Sequence, residues 1–156
     1  MKRINMKKLV MGLFLLMISG LAGAQMLNPV LWTFTSKKID AKTYEIRLTA
    51  NIQTGWHMFS QTQPADAINN PTEIIFNNNP IVKFDGKVME TGKLELYKDK
   101  KLGISANQYT GKVDFVQKVK LKSAVKTNIS GSVEYQTCDD KKCLPPKKQV
   151  FNLALK

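Results

Sequence analysis

Two stretches of the chain alternate strictly between apolar and polar positions. Tyr44, Ile46, Leu48, Ala50 and Ile52 interleave with Glu45, Arg47, Thr49 and Asn51. Val113, Phe115, Gln117, Val119 and Leu121 face one way, with Lys112, Asp114, Lys118, Lys120 and Lys122 on the other. Successive side chains of an extended backbone point to opposite faces, so alternation of this length predicts half-buried strands. A shorter run over residues 30–35, after Asn28-Pro29, puts Val30, Trp32 and Phe34 on one face. Residues 72–76, 81–84, 87–89, 94–97 and 133–137 read as further short strands, and Phe151, Leu153 and Leu155 alternate as a last one. The punctuation between them is turn chemistry: Asn77-Asn78-Asn79-Pro80, the dipeptide Asp85-Gly86, a break at Thr91-Gly92, and a charged turn over residues 98–101. No helical period of useful length and no internal repeat is present after residue 24. Seven to nine short strands in about 130 residues predict an all-β, antiparallel β-sandwich.

One segment breaks the alternation. Trp56-His57-Met58-Phe59 is a continuous aromatic cluster, which reads either as a strand buried on both faces or as the lining of a site. His57 is the single histidine, and it has no His, Asp or Glu companion at metal spacing, which favours a structural role over ligation.

The first 24 residues are of another kind. Lys2, Arg3, Lys7 and Lys8 precede an apolar run over residues 9–18, and Ala22-Gly23-Ala24 follows before Gln25. That is the pattern of a cleaved secretory signal peptide, and the run is shorter than the roughly 20 residues a membrane-spanning helix needs. The expected mature domain is 25–156. Four of the 24 basic residues leave with the leader, so 20 face 12 acidic ones and the net charge is +8. The lysines are scattered along the alternating strands with no aromatic-interleaved basic motif, which argues against nucleic acid as a partner. Export to the periplasm is the expected destination.

The two cysteines of this exported chain, Cys138 and Cys143, stand in Thr137-Cys138-Asp139-Asp140-Lys141-Lys142-Cys143-Leu144-Pro145-Pro146. A polar turn over residues 139–142 would bring their Cα atoms within about 4.4–6.8 Å, the disulfide window. A bridge across so short a loop stabilises little, about 2 kcal/mol, against 4 to 5 for a loop of about a hundred residues. Charge divides the two thiols. Asp139 and Asp140 disfavour a thiolate at Cys138, whereas Lys141, Lys142, Lys147 and Lys148 favour one at Cys143, the better candidate nucleophile. Three uses of the pair fit: a redox-active couple, a structural bridge, or, with His57 and Met58, a copper(I) site built on soft sulfur ligands.

The combination Gly55-Trp56-His57-Met58-Phe59, then Gly92-Lys93-Leu94-Glu95-Leu96-Tyr97-Lys98-Asp99, then residues 133–146 with Tyr-Gln-x-Cys and Cys-x-Pro-Pro, resembles the N-terminal periplasmic domain of the DsbD thiol:disulfide interchange family over nearly the whole mature chain. The resemblance implies an immunoglobulin-like sandwich with its cysteine pair at one end. It also implies an electron relay with no bound cofactor and no metal. A thioredoxin-like domain of a membrane disulfide reductase would reduce the pair, which would then reduce exported thioredoxin-like proteins or disulfide isomerases. By matching position, Cys143 is implied to form the mixed disulfides and Cys138 to resolve them. Trp56, His57, Phe59, Met89 and Leu144 are the candidates for shielding the sulfurs. This chain departs from the family in four ways, the first at the cluster opposite the cysteines, aromatic in the family, where Phe59 keeps that character and His57 changes it. Four residues separate the cysteines instead of five, and residues 88–91 carry no aromatic cap. The chain also ends at Lys156 without a membrane or thioredoxin-like domain, which leads one to expect a free-standing exported protein. The alternative expectation is an exported immunoglobulin-like binding module whose disulfide only fixes a hairpin.

Overall fold

The computed structural model describes residues 27–156, and the leader expected over residues 1–24 lies outside them. Among the described residues the regular elements are all strands: β1 Val30–Lys38, β2 Thr43–Ile52, β3 His57–Phe59, β4 Glu73–Phe76, β5 Val82–Asp99, β6 Ile104–Leu121, β7 Thr127–Tyr135, β8 Thr137–Cys138 and β9 Lys147–Leu155. No helix among them is long and apolar enough to cross a membrane. β6 is the spine of the larger sheet. Along one edge it carries β2 on its C-terminal half (Thr49 opposite Asp114), with β1 beyond. The same edge carries β3 on the N-terminal half (Met58 opposite Tyr109), with β8 beyond. β5 runs along the other edge. The smaller sheet has the order β4-β7-β9, and every pairing is antiparallel. The architecture is the expected immunoglobulin-like sandwich.

The core lies between the sheets because the alternating positions meet there. Ile46, Leu48, Phe115 and Val119 come from the larger sheet and Ile129, Val133, Phe151 and Leu155 from the smaller, all buried. Burying an aliphatic or aromatic side chain of this size contributes about 1.5–3 kcal/mol. Trp32 ties the layers together, its ring 5.9 Å from Phe115 and 5.3 Å edge-on to Tyr135. The inward amide of Gln117 is satisfied: its Nε2 donates to the carbonyls of Asp85 and Lys118 at 3.2 and 2.7 Å.

Two expectations are corrected. Asp85-Gly86 and Thr91-Gly92 do not end strands; β5 runs through both, its register against β6 slipping between Asp85 and Met89, where the extra residues are on β5, and again between Gly92 and Leu94, where they are on β6 around Gly111. At each slip the strand opposite runs on without extra residues and holds the ladder together, and Gly86, at φ 73° on β5, and Gly111, at φ 67° on β6, supply the left-handed backbone such bulges require. β6 also begins at Ile104, well before the alternation starts. Asn107 interrupts the pattern there because Gln63 stands in for a neighbouring strand. Its side-chain amide accepts from the Asn107 N–H (3.0 Å) and donates to the Asn107 carbonyl (2.8 Å).

Candidate functional site: a cysteine hairpin at the end of the sandwich

The site is built where the chain changes sheets. β7 runs in the smaller sheet to Tyr135; one residue later β8 joins the larger sheet, with Thr137 opposite Met58 and Cys138 opposite His57. Gln136 makes the corner, accepting from the Asn70 N–H and donating to the Leu144 carbonyl, both at 3.2 Å. The turn that follows folds on its own polar groups. Asp139 Oδ1 accepts from the N–H groups of Lys141 and Lys142 at 2.8 and 2.7 Å, and the Asp139 N–H donates to the Lys142 carbonyl at 2.9 Å. These bonds hold the Asp139 carboxyl below its ordinary 3.8, so it stays charged.

The cysteines pair because of this turn. Asp139 N–H to Lys142 carbonyl on one side, and Leu144 N–H to Thr137 carbonyl on the other, make Cys138 and Cys143 a non-hydrogen-bonded antiparallel pair, the narrow kind in which side chains approach closely. They form a disulfide with Cα atoms 4.0 Å apart, just short of the lower edge of the expected window, as the close approach of a non-hydrogen-bonded pair allows. The two sulfurs differ in setting. Cys138 is 3% exposed and packs with Phe59 and Ala106 in a small buried cluster separate from the main core, whereas Cys143 is exposed.

Of the expected shielding residues, three stand at the pair. Phe59 is buried on Cys138; His57 lies beside Cys138 across the strands, its ring edge-on to Phe59 at 5.5 Å; Leu144 follows Cys143 and is half-buried. The other two stand elsewhere. Trp56 packs against the main core. Met89 is 66% exposed and lies opposite Val116, on the half of β6 that carries β2, away from the half that carries β3 and the cysteines. Strand alternation also removes Met58 from any shared ligand set with His57 and Cys138, since Met58 is fully buried in the main core on the opposite face. Among the described residues no group of three His, Cys, Asp or Glu side chains is arranged to hold a metal.

Other contributors carry weaker sequence signals. Ala106 gives Phe59 and Cys138 room by being small. Glu95, opposite Gln108 on the face that carries Phe59 and His57, adds negative charge near the imidazole. Burial lowers the His57 imidazole below its ordinary 6.5, outweighing Asp140, Asp139 and Glu95, which pull the other way. Where an aromatic cap was absent from the sequence, Glu90 is a hydrogen-bond hub. Its carboxylate accepts from Ser60 Oγ (2.6 Å), the Gln61 N–H (2.7 Å) and the Tyr109 hydroxyl (2.8 Å), pinning the middle of β5 to the exit of β3. Beside the hairpin, Leu27, Pro29, Tyr135, Leu144, Pro145 and Pro146 line a mostly apolar cleft of about 410 Å³.

Fold and site together define an immunoglobulin-like domain with a disulfide hairpin at one end, one cysteine buried and the other exposed. The sequence profile described as "Thiol:disulfide interchange protein DsbD, N-terminal" matches residues 25–155, and the chain belongs to that family. No curated protein sequence matches it. Among solved structures it is similar to the N-terminal periplasmic domain of ScsB from Proteus mirabilis, with a TM-score of 0.60 and 17% identity over 83% of this chain and 47% of that one. The chain therefore spans about half the length of that relative. It is also similar to the Neisseria meningitidis DsbD N-terminal domain in the reduced form, with a TM-score of 0.52 and 15% identity over 81% of this chain and 88% of that one. A third similar structure is the complex between the DsbD and PilB N-terminal domains of the same organism, with a TM-score of 0.51 and 15% identity over 82% and 87%.

Proposed function

We propose that this chain is an exported, periplasmic thiol-disulfide exchange domain, released after cleavage near Ala24. A thioredoxin-like domain of a membrane disulfide reductase reduces Cys138–Cys143, and the reduced pair passes its electrons to exported thioredoxin-like proteins or disulfide isomerases. The observation that carries this reading is the asymmetry of the pair: an exposed Cys143 flanked by lysines, joined to a buried Cys138 followed by two aspartates. An exposed sulfur in a basic setting suits a nucleophile, and a buried neighbour on the same rigid turn suits a resolving thiol. The DsbD–PilB complex supports a protein partner. The cleft lined by Leu144, Pro145 and Pro146 offers such a partner an apolar seat next to Cys143.

The chemistry balances without a cofactor. A Cys143 thiolate attacks one sulfur of the substrate disulfide; the new bond to Cys143 forms as the substrate bond breaks, and the second substrate sulfur leaves as a thiolate. Cys138 then loses its proton and attacks Cys143, releasing the first substrate sulfur. Two thiols here are oxidised to a disulfide while one substrate disulfide is reduced to two thiols. The alternative, a binding module with a purely structural bridge, draws on the same cleft. Alkylating the thiols of the protein in the periplasm, with and without a membrane disulfide reductase, separates the two. The relay predicts a reduced fraction that disappears with the reductase. A pair that is fully oxidised in both strains overturns it.

A further inference from the structure

Cys138 poses a problem for the exchange reaction that Cys143 does not. The resolving step needs its thiolate, yet its sulfur is closed off by Phe59 and Ala106, and Asp139 and Asp140 follow it directly. Burial in apolar surroundings and neighbouring negative charge both raise a thiol's pKa. Bulk water cannot readily take the proton from a side chain that is 3% exposed. A proton acceptor has to stand beside it.

The register places one there. His57 is the direct cross-strand partner of Cys138 on the same face of the sheet, and directly opposed residues in an antiparallel pair have Cβ atoms about 4.5–5.5 Å apart. The imidazole is half-buried, so it stays in reach of solvent from its place across from the cysteine. Phe59, two residues on, holds the ring edge-on at 5.5 Å. We infer that His57 is the proton carrier of Cys138, taking the Sγ proton as Cys138 attacks the Cys143 mixed disulfide and returning a proton to Cys138 when the reaction runs backwards. This deepens the proposed exchange reaction and rests on it.

The proton balance is closed. Neutral His57 accepts the Cys138 proton and becomes imidazolium; the Cys138–Cys143 bond forms; the substrate sulfur leaves as a thiolate and is protonated from solvent, to which His57 then loses its own proton. The groups facing the ring suit this cycle. Burial keeps the imidazole neutral and ready to accept near pH 7, while Asp139 and Asp140 from the turn and Glu95 from β5 stabilise the transient cation. Lys93, 3.6 Å from Glu95, moderates the third of these, and Lys141 and Lys142 share the turn with the aspartates.

A symmetric aryl disulfide with a coloured thiolate tests this on the reduced full domain by stopped flow. The first thiolate is released when Cys143 forms the mixed disulfide, and the second when Cys138 resolves it. His57→Phe, which keeps a ring against Phe59, should leave the first release unchanged and slow the second roughly 10-fold to 100-fold at pH 7. In the wild type the second rate should rise with pH and level off below pH 6.5, where the imidazole becomes neutral. In His57→Phe it should keep rising through neutral pH with the thiolate fraction of Cys138. His57→Gln, which can hydrogen-bond but not carry a proton, should behave like His57→Phe and covers the case in which one variant misfolds. A second release with the wild-type rate and pH profile in both variants overturns the role of His57. Failure of the wild type to release any thiolate would instead overturn the exchange reading itself.

Discussion

When the Cys138–Cys143 bond is reduced, the constraint lost is that of a loop of six residues counting both cysteines, since the sequence separation is 5. On the chain-entropy relation this is worth about 2 kcal/mol. The folded side of the balance changes little. The turn keeps its own hydrogen bonds from Asp139 to Lys141 and Lys142, and Leu144 still donates to Thr137. Cys138 is clustered with Phe59 and Ala106, apart from the main core around Ile46, Leu48 and Phe115. Reduced protein should therefore remain a cooperative sandwich, less stable by about 2 kcal/mol, with a melting temperature lower by roughly 6–10 °C for a domain of this size. Urea titrations of the oxidised protein, the reduced protein and the Cys138→Ser, Cys143→Ser double variant measure this through tryptophan fluorescence, because Trp32 packs between Phe34, Phe115 and Tyr135. The m-values should agree, since the surface exposed on unfolding is nearly the same. A loss above about 4 kcal/mol, or a non-cooperative transition in the reduced protein, would refute the argument and make the bond a structural staple.

Three further predictions concern the scaffold around the hairpin. Gly131 lies between Phe76 and Phe151 in the smaller sheet, and a Cβ there would overlap the Ile75 carbonyl and come within 2.8 Å of the Phe151 ring, so Gly131→Ala should cost about 3 kcal/mol in urea unfolding. Glu90→Ala removes the acceptor for Ser60, Gln61 and Tyr109; it should cost about 2–3 kcal/mol and raise amide hydrogen exchange in the middle of β5. The same contact, after burial, pushes the Tyr109 hydroxyl above its ordinary range, and Glu90→Ala should lower it in an ultraviolet pH titration. Because burial depresses the His57 imidazole, the unfolded chain binds a proton there more readily than the folded one, and stability should fall as pH drops below about 7 and level off under the folded pKa. His57→Phe should flatten that part of the pH profile, leaving the acid loss due to Asp139 and Asp40, whose carboxyls are held below 3.8 by backbone N–H groups.

Strands were readable from the sequence wherever one face meets the core and the other meets water. Tyr44 to Ile52 and Val113 to Leu121 alternate because each inward position is buried, and the two strands pair directly. The cysteine hairpin was equally plain, since Asp139 opens a turn that satisfies its own backbone. Legibility failed where partners far apart in the chain decide the outcome. Asp85-Gly86 reads as a hairpin turn, yet the unbroken β6 and the amide of Gln117 carry the strand through it. Residues 104–109 lack a clean alternation, and at Asn107 it is Gln63, 44 residues away, that bonds both backbone groups. Among the site residues, Phe59 packs with Cys138 and Leu144 directly follows Cys143. Met89 lies apart from the pair, because the bulge after Asp85 sets its register opposite Val116. The role of Glu90 has no sequence signal, since its hydrogen-bond partners lie 19 to 30 residues away.

The central claim is that Cys143 attacks partner disulfides and Cys138 resolves the product, and the most direct measurement is trapping. Cys138→Ser and Cys143→Ser variants of the full chain are expressed in a bacterium, directed to its periplasm, and examined for mixed disulfides on non-reducing gels. The account predicts that Cys138→Ser accumulates adducts with thioredoxin-like partners, linked through the exposed Cys143, and that Cys143→Ser accumulates few or none. Adducts on Cys143→Ser alone would reverse the assignment, and the absence of adducts on both variants would contradict the relay.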